Sequence, residues 1–427
     1  MKRYEAYKPS NLPWVAEIPS GWKISKNSQL FRESSELSEK GEEPLLSLSQ
    51  YTGISYKSNA AKIGMREADS KIGYRVIHED DIVMNIMLAW NGSTAVSPFD
   101  GIISPAYAVY RQRTALNPKY FHYLFRIPAI CSYFESNSTG LIKSRLRLYS
   151  DSFMRLFSIF PPREEQDQIV RYLDWQVSKI NRLIAAKREK IALFEELKTH
   201  QTTDAVLHGV KQYKKYIETQ EFGRIPAHWQ IYQNKRLFRE RVEHSKMGTE
   251  TLLSVSKHYG VKPSADLTED EQFATIKPAL SLAGYKVVHK NDLVMNIMRA
   301  RNGSYGISAY NGIVSPAYCI YYVTKNCNVK YLHYFLRTPH VKSLFETYSS
   351  GIAEHRRRLY PEDFLRLASV LPPIEDQNEI VEYIEQSLVK YDEVIANLKR
   401  QIACLQDMKT RLISDVVTGQ IDVRGIK

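Results

Sequence analysis

The sequence predicts an α+β protein: two similar α/β domains separated by two long helices that pair as an antiparallel coiled coil, with a pseudo-two-fold internal repeat. Three observations carry this. Whole motifs of the first half return in the second. Each half holds a long run in which apolar or seam residues step by four and three. Each run follows a stretch of short β-prone segments punctuated by glycine.

The duplication comes first, because a fixed internal period outranks any local signal. Ile18-Pro19-Ser20-Gly21-Trp22 returns as Ile225-Pro226-Ala227-His228-Trp229, and Leu30-Phe31-Arg32-Glu33 as Leu237-Phe238-Arg239-Glu240, both 207 residues on. From Gly73 onward the offset is 211, so the second copy gains four residues between the counterparts of Gly53 and Gly73. Residues 73–110 and 284–321 are identical at 22 of 38 positions, which shared composition does not produce.

The β-prone segments are Asp80–Met87 and Asn291–Met298, then Ser104–Tyr110 and Ser315–Tyr321, with Gly92, Gly101, Gly303 and Gly312 between them. A short helix is expected around Pro118–Ile127 and Val329–Thr338. A glycine loop follows in each half, residues 138–149 and 349–360. Proline pairs then launch the long helices, at Pro161-Pro162 and Pro372-Pro373. Acids follow each pair (Glu164, Glu165; Glu375, Asp376), matching the positive end of a helix dipole.

The first stripe reads Leu173, Val177, Ile180, Ile184, Lys187, Ile191, Phe194, Lys198. The second reads Ile384, Leu388, Tyr391, Ile395, Leu398, Ile402, Leu405, Lys409. Such spacing keeps one face on a partner helix. Gly209 and Gly419 mark the ends. The boundaries are therefore 1–162 and 211–373 for the globular domains, 163–210 for the first helix, and 374–427 for the second helix with its tail. A helix of about 40 residues spans roughly 60 Å. Paired antiparallel, the two would return the C-terminus to the first domain and hold two like surfaces in opposite orientation.

Composition sets limits on function. The 427 residues are 43% hydrophobic and 25% charged, ordinary for a folded chain of several domains. The net charge of +12 points to a polyanion, nucleic acid before membrane, since no basic amphipathic helix or apolar span is visible. The four cysteines form no C-x-x-C pair and have no histidine at zinc-finger spacing. With no signal-like apolar run at the start, the chain reads as cytoplasmic.

In this order, twice, the motifs resemble the specificity subunit of a type I restriction-modification enzyme. The resemblance rests on the E-I-P-x-x-W segment (Glu17 to Trp22), D-I-V-M-N-x-M-x-A-W-x-G (Asp81 to Gly92) and G-I-I-S-P-A-Y (Gly101 to Tyr107). It rests further on R-L-R-L-Y (Arg145 to Tyr149), P-P-R-E-E-Q (Pro161 to Gln166) and the tail V-V-T-G-Q-I-D-V-R (Val416 to Arg424). It implies two target recognition domains, each reading one half of a bipartite double-stranded DNA site, and spacer helices where two modification (methyltransferase) subunits dock. Restriction subunits complete the complex. It implies no catalysis, metal site or cofactor in this chain; S-adenosylmethionine, ATP and Mg²⁺ would belong to partners.

The candidate DNA contacts are Lys143, Arg145 and Arg147 in the first glycine loop, and Arg356, Arg357 and Arg358 in the second. Arginine bonds bidentately to guanine or clamps phosphate, and the cations recur beside a glycine loop in both copies. An ordinary strand with a solvated basic face is the alternative. In R-L-R-L-Y, alternation sets Leu146 and Leu148 on one face and the arginines on the other. Trp90 and Arg301 precede Asn-Gly turns, and Arg299 stands where the first half has Leu88. Arg299 and Arg301 are open to either a base contact or a role in the turn. The asparagines Asn91 and Asn302 read as turn chemistry. The recurrent methionines Met84, Met87, Met295 and Met298 read as core, and His78 and His289 as structural. Where the halves differ, the frame is kept and the side chains change, so the two half-sites need not share a sequence.

A self-contained DNA methyltransferase or nuclease with fused recognition domains is the alternative function. No G-x-G and no glycine before lysine occurs, so the usual nucleotide and S-adenosylmethionine loops are absent. A coiled-coil adaptor that never touches nucleic acid is the third reading, and the basic balance disfavours it.

Overall fold

The structure is a computed structural model. It describes residues 2–426 apart from 51, 58–69, 268–280 and 352–356. The chain divides into two compact units, Met1–Lys187 with Lys399–Lys427, and Arg188–Leu398. Each unit thus contains a globular part and a segment of both long helices.

Unit 1 is organised on a four-stranded antiparallel sheet in the order Phe31–Glu33, Tyr107–Gln112, Ile82–Asn85, Thr94–Val96. Unit 2 repeats it with Phe238–Glu240, Tyr318–Val323, Leu293–Asn296 and Tyr305–Ile307. The run Ile82-Val83-Met84 is apolar without alternation because both of its faces are covered. Ile82, Met84, Ala108 and Tyr110 join the main core with Phe31, Phe121 and Phe153. Val83, Ala95 and Val109 face a smaller core with Leu46, Ile54 and Ile103. The same division recurs in unit 2, with Met295 and Tyr321 on one side and Val294 and Ile320 on the other. Met84 and Met295 are fully buried as expected, but Met298 is 42% exposed, because the chain has already turned away from the sheet there.

The expected short helices are Pro118–Leu124 and Val329–Leu336. Each starts with an asparagine cap, Asn117 Oδ1 accepting from Lys119 N and Asn328 Oδ1 from Lys330 N. A second helix follows that the sequence reading omitted, Pro128–Ser136 and Pro339–Thr347. Proline at its first position marks both starts.

The long helices are Arg163–His208 and Ile374–Val417. All sixteen stripe residues are buried or half-buried, while the residues between them are mostly exposed. Within unit 1 the pairing is antiparallel: Lys187 Nζ donates to Gln401 Oε1 and Lys409 Nζ to Asn181 Oδ1. Within unit 2, Lys198 pairs with Asp392 and Gln201 bonds Ser387 and Tyr391. The first helix advances as the second recedes in both.

A buried amide ties each long helix to its globular part. Gln166 accepts from Asn117 N at 2.8 Å and donates to the Pro161 carbonyl at 2.8 Å. Gln377 does the same with Asn328 N and the Pro372 carbonyl, both at 2.7 Å. Beside it, the Trp22 indole N–H donates to Glu165, and that of Trp229 to Asp376, each at 3.0 Å. This is why the tryptophan motif and the Pro-Pro-x-x-x-Gln motif travel together. In unit 1 the two chain ends meet: Tyr7 donates to the Gly419 carbonyl and Asp422 N to the Lys2 carbonyl.

Ile184 lies 6% exposed in the stripe and its neighbour Leu183 is 52% exposed. Ile184→Ala should cost about 2–4 kcal/mol in denaturant unfolding, as a buried truncation does, and Leu183→Ala far less. Equal losses would mean that the stripe is not the packed face.

Two buried histidines give a pH dependence. Burial, then Arg126 and Lys119, push His122 down to about 3, and its Nδ1 accepts from Val96 N. Burial and Arg337 push His333 down to about 4, with Ile307 N as donor. Both stay neutral in the fold while the unfolded chain protonates near 6.5. Their contribution is complete above pH 6.5 and drains as pH falls from there towards 3, the His333 share by about 4. The Tm of the double variant His122→Gln, His333→Gln should therefore depend less on pH across that window than that of the wild type.

Candidate nucleic-acid interface

In each unit two segments that are distant in sequence form one surface. The first leaves the sheet after Asn85. Asn85 is buried, and its side-chain oxygen accepts from Met87 N at 3.1 Å, forcing the chain into a tight turn. A single helical turn, Ala89–Asn91, ends at Gly92 with φ +83°. Asn296 repeats this with Met298 N at 3.1 Å, and Ala300–Asn302 ends at Gly303 with φ +87°. Asn91 stays within the turn, accepting from Ser93 Oγ.

The second segment is the glycine loop. Thr139 and Arg147 exchange both backbone hydrogen bonds, at 2.9 and 3.0 Å, and Leu148 N donates to the Ile86 carbonyl at 2.8 Å. That last bond clamps the loop to the turn. Ser350 and Arg358 pair likewise, and Leu359 N reaches the Ile297 carbonyl at 3.0 Å. Lys143–Arg145 forms a helical turn rather than a strand. The alternation still holds beyond it: Leu148 is buried and Leu146 half-buried, while Arg145 and Arg147 are exposed. Gly140 has φ +151°, and a Cβ there would lie 2.6 Å from the Arg145 carbonyl oxygen, so only glycine closes this loop.

The geometry brings the first-half candidates together. Lys143 Nζ lies 5.1 Å from the centre of the Trp90 ring and 3.1 Å from Glu135 of the neighbouring helix. Trp90 is half-buried, its indole N–H on the Met87 carbonyl. Arg147 reaches the Met87 sulfur at 3.9 Å. Trp90, Lys143 and Arg147 are thus parts of one basic surface, and Arg145 is exposed in the same loop. In the second half Arg299 and Arg358 are exposed and Arg301 is half-buried. Arg357 takes the place of Leu146: it is half-buried, and its Nε donates to the Ser349 carbonyl at 3.2 Å, so part of its donor set closes the loop. Arg356 lies outside the described residues.

The sequence reading missed two residues here. Leu141 is fully exposed and Ile142 is 54% exposed, at the loop tip beside the cations. Their signal was an apolar pair set between a glycine and a basic run.

His78 bonds Glu36 and sits in a network with Asp81 and Arg111, which His289, Glu243, Asp292 and Arg241 repeat. Among the described residues no three His, Cys, Asp or Glu side chains gather as a metal-binding group. No helix among them is long and apolar enough to cross a membrane.

No protein-family model matches the chain, and no curated protein matches it by sequence. Among solved structures, a chain from work described as the structural basis of complex assembly and conformational transition of the type I R-M system matches with a TM-score of 0.67. The match covers 95% of this chain and 99% of that one at 15% identity, and the two share a fold. Two others are similar at lower scores. The HsdS subunit from Thermoanaerobacter tengcongensis matches at TM-score 0.45 and 16% identity, covering 95% of this chain and 98% of that one. A type I restriction-modification system S subunit from M. genitalium matches at 0.33 and 10%, covering 92% and 96%.

Gly140→Ala should raise hydrogen exchange at Thr139, Arg147 and Leu148 while leaving the amides of Ile82–Asn85 protected. Unchanged exchange at all of these would show that the loop tolerates a side chain there.

Proposed function

We propose that this chain is the DNA-recognition (specificity) subunit of a type I restriction-modification complex. The observation that carries it is the doubled basic surface, turn and glycine loop clamped together, in a chain that shares the fold of a type I R-M system chain. Each unit reads one half of a bipartite duplex site. The loop arginines take guanine edges or phosphates, and the turn residues touch the groove beside them. Arg301 and Arg299 stand in the second half where the first has Trp90 and Leu88, so the two half-sites need not share a sequence. The length of the paired helices sets the number of unread base pairs between the half-sites.

Partners supply the rest. Two modification subunits dock on this chain and methylate DNA with S-adenosylmethionine, and restriction subunits use ATP and Mg²⁺. The chain itself performs no catalysis. Its working compartment is the cytoplasm, where such partners and their DNA meet.

The test is binding by the assembled complex to the site that methylation mapping of the host reveals. Affinity should fall steeply with salt, since each neutralised phosphate releases a counterion. Arg145→Ala, Arg147→Ala should lower the slope of log K against log salt by up to about two. A flat salt dependence in the wild type, or binding without sequence preference, would refute the assignment.

A further inference from the structure

The tip of the first glycine loop does something that the basic surface does not explain. Leu141 and Ile142 project into solvent at 102% and 54% exposure. Leu141 buries nothing within the chain and Ile142 leaves more than half of its surface in water, so this apolar surface stabilises the fold little. The loop that carries them is stiff. The paired backbone bonds of Thr139 and Arg147 close its base, the Leu148 bond to Ile86 ties it to the turn, and Gly140 packs on the Arg145 carbonyl. Lys143, Arg145 and Arg147 follow the apolar pair directly. Lys143 already has Glu135 at 3.1 Å, but a purely apolar partner would leave Arg145 and Arg147 without counter-charge. A duplex satisfies both, with phosphates for the cations and a base step for the apolar pair.

Resting on the DNA-recognition reading above, we infer that Leu141 and Ile142 form a wedge that enters between two adjacent base pairs of the first half-site, unstacking them and kinking the duplex. Apolar side chains at base steps act this way, and the cost of unstacking is offset by the surface that the bend brings into contact. Pyrimidine–purine steps open most readily, so the wedged step is TA or CA/TG. The device belongs to the first half alone. The corresponding sequence after Gly351 is Ile352-Ala353-Glu354, a smaller pair followed by an acid.

The experiment uses the complex assembled with its modification subunits, without S-adenosylmethionine. It binds duplexes of the mapped site that carry 2-aminopurine at one adenine position at a time. The expected result is a several-fold rise in fluorescence at one step of the first half-site. In Leu141→Ser, Ile142→Ser that rise disappears and affinity for the site falls about tenfold, with an unchanged salt slope because no phosphate contact is removed. Thermal unfolding of the variant should stay close to the wild type, since Leu141 is fully exposed and Ile142 more than half exposed. Sequence-selective binding with flat fluorescence at every position overturns the wedge and leaves the DNA-recognition reading standing. So does a rise that survives in the double variant. Loss of the modification subunits from the variant complex assigns the tip to a protein contact and likewise overturns the wedge. Absence of selective binding by the wild type removes the DNA-recognition reading, and the wedge with it.

Discussion

The seam between the long helices is the constraint on which the rest depends. A helix with a stripe stepping by four and three exposes an apolar edge for its whole length and gains little from local hydrogen bonding alone. Each unit covers that edge by closing a segment of one helix on the oppositely running segment of the other. Polar pairs along the margin, such as Lys198 with Asp392 and Lys187 with Gln401, add direction to an otherwise uniform apolar contact. Partly exposed pairs of this kind contribute little energy, and their use is to favour one register over its neighbours.

Each globular part is then joined to its helix by buried side-chain hydrogen bonds. Gln166 and Gln377 are buried amides whose donor and acceptor are both used, one on the proline pair and one on the asparagine that caps the earlier short helix. Losing either partner would leave a buried polar group unsatisfied, which costs more than the bond itself contributes. The acids at the first turn hold the tryptophans in the same way. The side chain is Glu165 in one unit and Asp376 in the other, and the shorter acid also receives Lys211 and His228. Hydrogen bonds and charge there outweigh burial, so Asp376 titrates below the usual carboxylate range.

Duplication with divergent tips follows from this division of labour. Residues that build the frame are under packing and hydrogen-bond constraints, so Asn85 and Asn296, or the clamping amides of Leu148 and Leu359, recur unchanged. Residues at the tips are constrained only by what they meet. Leu146 and Arg357 show the boundary between the two classes: one position, half-buried, is filled by an apolar side chain in one copy and by a backbone-bonded guanidinium in the other. A basic surface that recurs on such a frame can change its reading while the fold stays the same.

The sequence by itself determined the repeat, the two long helices with their antiparallel partnership, the strands at Ile82–Asn85 and Leu293–Asn296, and the basic loops. These are matters of period, and period survives in one dimension. Tertiary structure alone decided which residues the loops present. The Leu148–Ile86 clamp joins segments some sixty residues apart, and nothing local announces it. It placed Trp90 beside Lys143 and turned Arg357 inward. It left Leu141 in water and carried Met298 to the surface, although Met84 and Met295 in the strands are core. The helix Pro128–Ser136 was legible in its leading proline and was missed because it follows another helix after a short break. Where a side chain ends up depends on which distant segment covers it, and only the closed fold makes that choice.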